Sequence, residues 1–313
     1  MMYVKDIKWE KGMRVTDLVT QMGAAGFQGT ELDRCATAIA KMKKEGAKIF
    51  LTFTSNMVTS GLRGLFSQMI QLEMAHAIVT TVGAIEEDIM RASGEEFILG
   101  QFHSDDVELY EKGLNRVGNL MIANESYARF EDMISPLLRM LYEKKPRWAV
   151  SEMLKEIGLT LQDEGSIIFQ AAKHDVPVFC PGITDGAFGF HLYMFQQKHP
   201  DFVVDVVKDF KNIIHCTSYD DKKGIIALGG SISKHHAILA TLLNGGLDYA
   251  VYMTTARSSS GSMSGATTQE AKSWGKIKDD SDAAMVIGDV SITFPLALTK
   301  ALDQLSEEGI ING

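Results

Sequence analysis

Cysteine is scarce in this chain of 313 residues, and its three copies, Cys35, Cys180 and Cys216, lie far apart and match no metal-ligand spacing. They read as buried, reduced thiols, and no metal site is expected. No stretch approaches the roughly 18 uninterrupted apolar residues of a membrane helix, so no membrane span is expected. The start, Met1-Met2-Tyr3-Val4-Lys5-Asp6, lacks an apolar signal core, which points to a cytoplasmic rather than an exported protein. Positive charge is in deficit: 31 Lys and Arg against 40 Asp and Glu leave a formal net charge of −9. That balance argues against general nucleic-acid binding and suits a cationic substrate or a basic partner. Internal repeats, low-complexity tracts and convincing linkers are all missing, so residues 1–313 read as a single domain. The G-x-G-x-x-G dinucleotide fingerprint is missing too.

What remains is ordinary globular material, 45% hydrophobic and 23% charged, long enough to bury a large core. Seventeen methionines read as core filling. Short β-rich runs at Lys48–Phe53, Ala77–Thr81, Val176–Phe179, Gly224–Leu228, Tyr249–Met253 and Ala284–Gly288 are predicted strands. Between them, Glu31–Glu45, Leu62–Ala75, Glu164–His174, His235–Asn244 and Phe294–Leu305 carry helical periodicity. Such alternation predicts an α/β fold of Rossmann-like type, a largely parallel sheet with helices on both faces. Tyr127–Ile157 reads as a helical excursion broken at Glu143-Lys144-Lys145-Pro146.

An open parallel sheet binds its ligands beyond the carboxyl ends of its strands. Those ends are followed here by small or polar residues: Thr54-Ser55-Asn56, Gly83 with Glu86-Glu87-Asp88, Thr184-Asp185-Gly186, Gly229-Gly230-Ser231, Thr254-Thr255-Ala256 and Asp289. Ser55-Asn56 and Gly229-Gly230 lead toward helix starts, where backbone N–H groups either meet phosphate oxygens or simply turn the chain. Asp185 and Asp289 either accept hydrogen bonds from ribose hydroxyls or cap helices. Glu86-Glu87-Asp88 either complements a helix dipole or receives an amine, and Glu270 could join it. Ser273-Trp274-Gly275-Lys276-Ile277 closes a glycine- and serine-rich run that begins at Ser258. A lysine there is either a surface residue lying on an aromatic face or a nucleophile walled off by Trp274. Lys234-His235-His236 opens a helix without zinc spacing, and His235 suits a general base or a structural role.

From about Gly26-Phe27-Gln28 to Phe294-Pro295 these blocks resemble the deoxyhypusine synthase family. The blocks that carry the resemblance include Thr54-Ser55-Asn56, Thr80-Thr81-Val82-Gly83, Glu86-Glu87-Asp88, Arg116-Val117-Gly118-Asn119-Leu120, Thr184-Asp185-Gly186, Lys234-His235-His236, Asp248-Tyr249-Ala250-Val251-Tyr252 and Ser273-Trp274-Gly275-Lys276. Their wording is closer to archaeal than to eukaryotic members. The resemblance implies NAD-dependent transfer of the 4-aminobutyl group of spermidine, through an imine on Lys276, to a lysine of the translation initiation factor 5A precursor. It implies Lys276 as nucleophile and His235 as base. It places NAD at Ser55, Asn56, Thr59, Thr81, Gly83, Glu87, Asp185, Gly230, Thr255, Ala256 and Asp289. Spermidine falls to Glu86, His235, Gly261, Ser262, Glu270 and Trp274. A homotetramer with active sites at subunit interfaces is implied as well.

Two positions depart from the family's eukaryotic pattern, with Phe190 and Met263 standing where aspartates are found. A charged hydrogen bond is worth about 1.5–3 kcal/mol, so the amine is held differently or more weakly. That opens a homospermidine synthase-like or agmatine-using transferase with a small-amine acceptor as the rival reading. A catalytically idle NAD-binding scaffold is the other rival, and it is disfavoured because Lys276 and His235 are both present.

Overall fold

The computed structural model describes residues 3–312, which divide into two compact units. The first gathers residues 3–53, Leu72–Val79 and residues 213–312; the second holds Thr54–Gln71 and Thr80–Asn212.

In the first unit five strands run in the order Ile277–Ile287, Leu247–Thr254, Lys223–Leu228, Lys48–Thr52, Ala77–Val79, and every neighbouring pair is parallel. Phe50 and Ala250 both stand opposite Ile225. The inner strands are continuous apolar runs because both sheet faces are covered, and Ile225, Ile226, Ala227, Val251 and Met253 are all buried. Side chains of the Leu247–Thr254 strand reveal the two faces. Tyr249 Oη donates to Glu45 Oε2 at 2.5 Å, at the end of the Phe27–Lys44 helix. Tyr252, three residues on, lies beneath Lys234 of the Ser231–Leu242 helix. The Phe27–Lys44 helix packs with Val290–Glu307 on the first face. Ser231–Leu242 lies across the four strands from Ala77–Val79 to Leu247–Thr254 on the other. The arrangement is the α/β parallel sheet with helices on both faces that the alternation of periods predicts.

All six predicted strands exist, with bounds moved by a few residues at most sites. The exception is Ile277–Ile287, predicted only over Ala284–Gly288. Its register against Leu247–Thr254 shifts between Leu247 and Tyr249, so residues 278–281 bulge from the edge of the sheet. Lys278, Asp279, Asp280 and Ser281 therefore carry no apolar period. At the opposite end of these strands, Gly229 N donates to Met253 O at 2.8 Å and Gly288 N to Thr254 O at 3.0 Å. Three strand-end loops thus open on one edge.

In the second unit, the predicted helical excursion is Asn124–Lys144 and Val150–Gly158, interrupted by the short strand Arg147–Trp148. The break falls at Lys145, extended because proline follows it. An antiparallel sheet of Ile98–Leu99, Leu120–Ala123 and Leu114–Val117 carries no signal in the sequence, and neither does the parallel pair Arg147–Trp148 with Val203–Val204. Two to four residues are too few for a period of two to register. Asp88 anchors this unit. Its carboxylate receives Arg63 Nε at 2.5 Å, Ser166 Oγ at 2.8 Å and the N–H groups of Ile167 and Ile168 at 3.1 and 2.9 Å. One buried anion with a full set of donors thus joins the helices Arg63–Gln71, Val82–Ala92 and Ile167–Lys173.

Candidate active site

The predicted residues are divided between the two units. In the first, Lys276 sits just ahead of the Ile277–Ile287 strand, its N–H bonded to Ala271 O at 3.1 Å and its carbonyl receiving Leu247 N at 3.0 Å. Both ends of its peptide are fixed, and the side chain turns inward until the residue is only 6% exposed. Its Nζ lies 5.0 Å from the centroid of the Trp274 ring, the aromatic wall that the sequence suggests. Lys276, Trp274, Glu270, Met263, Lys234 and Tyr252 line a cavity of about 20 Å³, room for about one water. Glu270 belongs to the Thr268–Ser273 helix, whose Thr267 cap accepts its N–H at 3.0 Å.

Lys234 is the residue that sequence reasoning leaves aside. It is 1% exposed, its Nζ donates to Ala266 O at 2.8 Å and Met263 O at 3.2 Å, and it lies 3.9 Å over the Tyr252 ring. Burial pulls its pKa down to about 8; the Glu270 carboxylate opposes this and the charge of Lys276 reinforces it. By holding two carbonyls it fixes the far end of the glycine- and serine-rich segment. His235, next in sequence and half-buried, is held below the usual histidine range by burial first and by Lys276 second. Its imidazole is therefore neutral near pH 7 and able to take a proton.

At the sheet edge of the same unit stand Gly230, Thr255, Ala256 and Asp289. A side chain on Gly230 would meet Ser264 Cα at 2.4 Å, so glycine is obligatory there. Thr255 and Asp289 are exposed at the ends of adjacent strands, and Ala256 N bonds Thr254 Oγ1 at 3.1 Å. Asp289 does cap a helix: its Oδ1 accepts from Ser291 N at 2.8 Å and Ser291 Oγ at 2.5 Å. Its Oδ2 has no partner among the described residues. Gly261 and Ser262 lie exposed in the Ser258–Gly265 turn, where Ser262 Oγ is 2.9 Å from Ser260 Oγ.

In the second unit, Ser55 N donates to Thr81 Oγ1 at 3.0 Å, and Thr59 Oγ1 donates to Glu87 Oε2 at 2.6 Å. Gly83 lies against Ser55, where an added side chain would come within 2.9 Å of Ser55 Cβ. Asn56 is exposed and its Oδ1 accepts from Thr54 Oγ1 at 2.5 Å. Glu86 and Glu87 are neighbours on the Val82–Ala92 helix, both buried, and neither makes an ion pair among the described residues. Glu86 Oε1 accepts from Phe188 N at 2.7 Å. Burial raises both carboxyls, Glu86 against the opposing pull of backbone N–H groups and Glu87 up to about 8. A buried carboxyl without a cation invites one. Asp185 is exposed ahead of the Ala187–Lys198 helix, and Phe190 is exposed on it.

The third acid of Glu86-Glu87-Asp88 is not available to an amine, since Asp88 is saturated by the donors that hold its unit together. Among the described residues no group of His, Cys, Asp and Glu is arranged to hold a metal ion. A dinucleotide fits what each unit offers: bare backbone at Gly230 and Gly83 beside helix starts, and spare carboxylate acceptors at Asp185 and Asp289.

A family model for deoxyhypusine synthase matches residues 17–301. A deoxyhypusine synthase of Senecio vernalis is 41% identical over 269 residues, covering 83% of this chain and 72% of that relative. A Thermoplasma acidophilum protein provisionally given the same assignment is 37% identical over 301 residues, covering 96% of this chain and 97% of its own. Among solved structures, an Entamoeba histolytica chain, also provisionally assigned to that enzyme, superposes with a TM-score of 0.69 at 26% identity, over 96% of this chain and 97% of that one.

Proposed function

The chain belongs to the deoxyhypusine synthase family and is therefore an aminobutyl transferase; from that premise we propose that its nucleophile is Lys276, its donor spermidine and its hydride acceptor NAD. The observation that carries this reading is the setting of Lys276, a nearly buried amine against an indole face in a cavity shared with a second buried lysine. A lysine attacks only as the free amine, and the His235 imidazole, lowered in pKa by burial and by the charge of Lys276, is in the neutral form that can take up a proton.

NAD would supply the acceptor for the hydride that leaves the donor as an imine and would return that hydride to the imine formed on the acceptor lysine; the first unit offers it Gly230 and Asp289, and the second offers Gly83 and Asp185. Lys276 Nζ attacks the imine carbon, 1,3-diaminopropane departs, and the butyl group stays on the enzyme until the acceptor lysine of the factor 5A precursor takes it. Glu270, which lines the cavity of Lys276, is the carboxylate for an ammonium end of the donor, and in the second unit buried Glu86 is a further carboxylate without a cation. The same premise carries a homotetramer and a cytoplasmic location. Exposed Leu99, Phe102 and Tyr110 in the second unit are apolar surface of the kind that subunits cover.

One observation favours a second reading. Met263 lines the cavity of Lys276, and Phe190 is exposed, where the family resemblance leads one to expect carboxylates. A site with fewer anions suits a smaller amine, as in a homospermidine synthase-like or agmatine-using transferase. Incubation with NAD, radiolabelled spermidine and the factor 5A precursor separates the two. Label on the precursor as deoxyhypusine supports the first reading; label only in a small polyamine supports the second. Label in borohydride-trapped Lys276→Ala protein would place the nucleophile elsewhere.

A further inference from the structure

The Leu247–Thr254 strand directs Tyr252 to the face covered by the Ser231–Leu242 helix, against the cavity of Lys276. Tyr252 is 1% exposed, and its hydroxyl has no hydrogen-bond partner among the described residues. Lys234 does not supply one: its Nζ lies over the ring and spends its donors on the carbonyls of Met263 and Ala266. Buried phenols are ordinarily paired, and an orphan is costly unless the site uses it. This orphan belongs to a residue lining a cavity of about 20 Å³ together with Lys276 and Glu270. A void of that size takes about one water or one substrate atom, and Tyr252 and Lys276 both border it. Two other hydroxyl or imidazole candidates are less well placed. His235 does not line the cavity, and Thr267 is engaged as a helix cap.

We propose that the Tyr252 hydroxyl is a further catalytic group, a proton relay at the nitrogen of Lys276; the inference rests on Lys276 being the nucleophile. As Nζ forms its bond to the carbon of the protonated imine, the π pair moves to the departing nitrogen, which becomes a neutral amine, and Nζ carries a surplus proton. The phenol oxygen takes that proton while its own passes to the departing nitrogen. The bond from carbon to that nitrogen then breaks and a double bond to Nζ forms. Tyrosine ends with the proton count it began with, and nothing is oxidised or reduced in the exchange. Burial raises the pKa of the phenol, which keeps it in the protonated form such a relay starts from.

The test needs neither NAD nor spermidine. Butanal with cyanoborohydride alkylates a reactive lysine through the same imine chemistry, with water as the departing group, and mass spectrometry reads the peptide that holds Lys276. Tyr252→Phe should slow labelling of Lys276 about 100-fold, the scale of general acid–base assistance, and abolish its solvent deuterium isotope effect. Its Tm should equal or exceed that of the wild type, because the hydroxyl removed has no partner. Labelling at the wild-type rate would overturn the relay, and so would a Tm lowered by several degrees, which would assign the hydroxyl to structure. Wild-type protein that labels elsewhere but not at Lys276 would bring down the nucleophile, and the relay with it.

Discussion

Replacing Glu87 with glutamine keeps the side chain's shape and its acceptor for Thr59 Oγ1 while removing one proton equilibrium. In the native chain that carboxyl is 7% exposed and its pKa stands near 8 rather than 4.5, chiefly from burial and further from the charge of Glu86. A carboxyl whose pKa is raised by folding favours the fold while protonated. Its contribution is complete below about pH 4.5 and is lost as pH climbs through 8, because the unfolded chain ionises first. Each pH unit in that window costs about 1.4 kcal/mol, so from pH 5 to pH 8 the wild type should lose about 4 kcal/mol relative to Glu87→Gln. With an unfolding entropy of about 2.1 cal/mol/K per residue, that is a Tm difference of about 6 °C opening across the range. Thermal melts of both proteins at half-unit pH steps measure it directly. Melting curves that stay parallel from pH 5 to pH 8 would refute the reasoning, since Glu87 would then ionise alike in folded and unfolded chains.

Asp88→Asn leaves Arg63 facing a neutral amide inside the second unit; removing one partner of a buried ion pair typically costs about 3–5 kcal/mol, which chemical denaturation should register. An unchanged midpoint would mean that Arg63 is satisfied by Asp163 alone. Asp289→Ala should lose about 1 kcal/mol as a helix cap and, separately, weaken NAD binding in calorimetry; a lost cap with intact affinity would remove Asp289 from the cofactor site. Met263→Asp should tighten spermidine binding if the missing carboxylate explains a weaker site, and an unchanged Kd would mean that the amine runs elsewhere.

The central strands are legible in the sequence because burial on both faces leaves uninterrupted apolar runs such as Ile225–Leu228. The first half of Ile277–Ile287 is not, because a bulged edge needs no apolar side chains and its ladder is main-chain only. At the site, Lys276 and His235 stand out by their neighbours. Lys234 does not, since nothing local tells a buried lysine from a surface one; its burial comes from a helix laid over a strand that follows later in the chain. Tyr252 reads as plain core for the same reason. Glu86, Glu87 and Asp88 look alike in sequence, yet each helical step turns the side chain by about 100°, which sends one to Phe188, one to Thr59 and one to Arg63.

The chain division described above also sets an order of assembly. Residues 80–212 of the second unit form one uninterrupted stretch, whereas the first unit pairs Lys48–Thr52 with Lys223–Leu228, strands separated by that entire stretch. During synthesis the intervening stretch emerges before residues 213–312 and can collapse locally, while Lys48–Thr52, with Ala77–Val79 already made on one side, waits for Lys223–Leu228 on the other. The entropic cost of closing a loop grows only slowly with its length, so pairing strands across so long a stretch costs little more than pairing them across half of it. The strand that leads out of Lys276 comes last in sequence among those of the sheet, so the pocket around that lysine closes only after every other strand has been made.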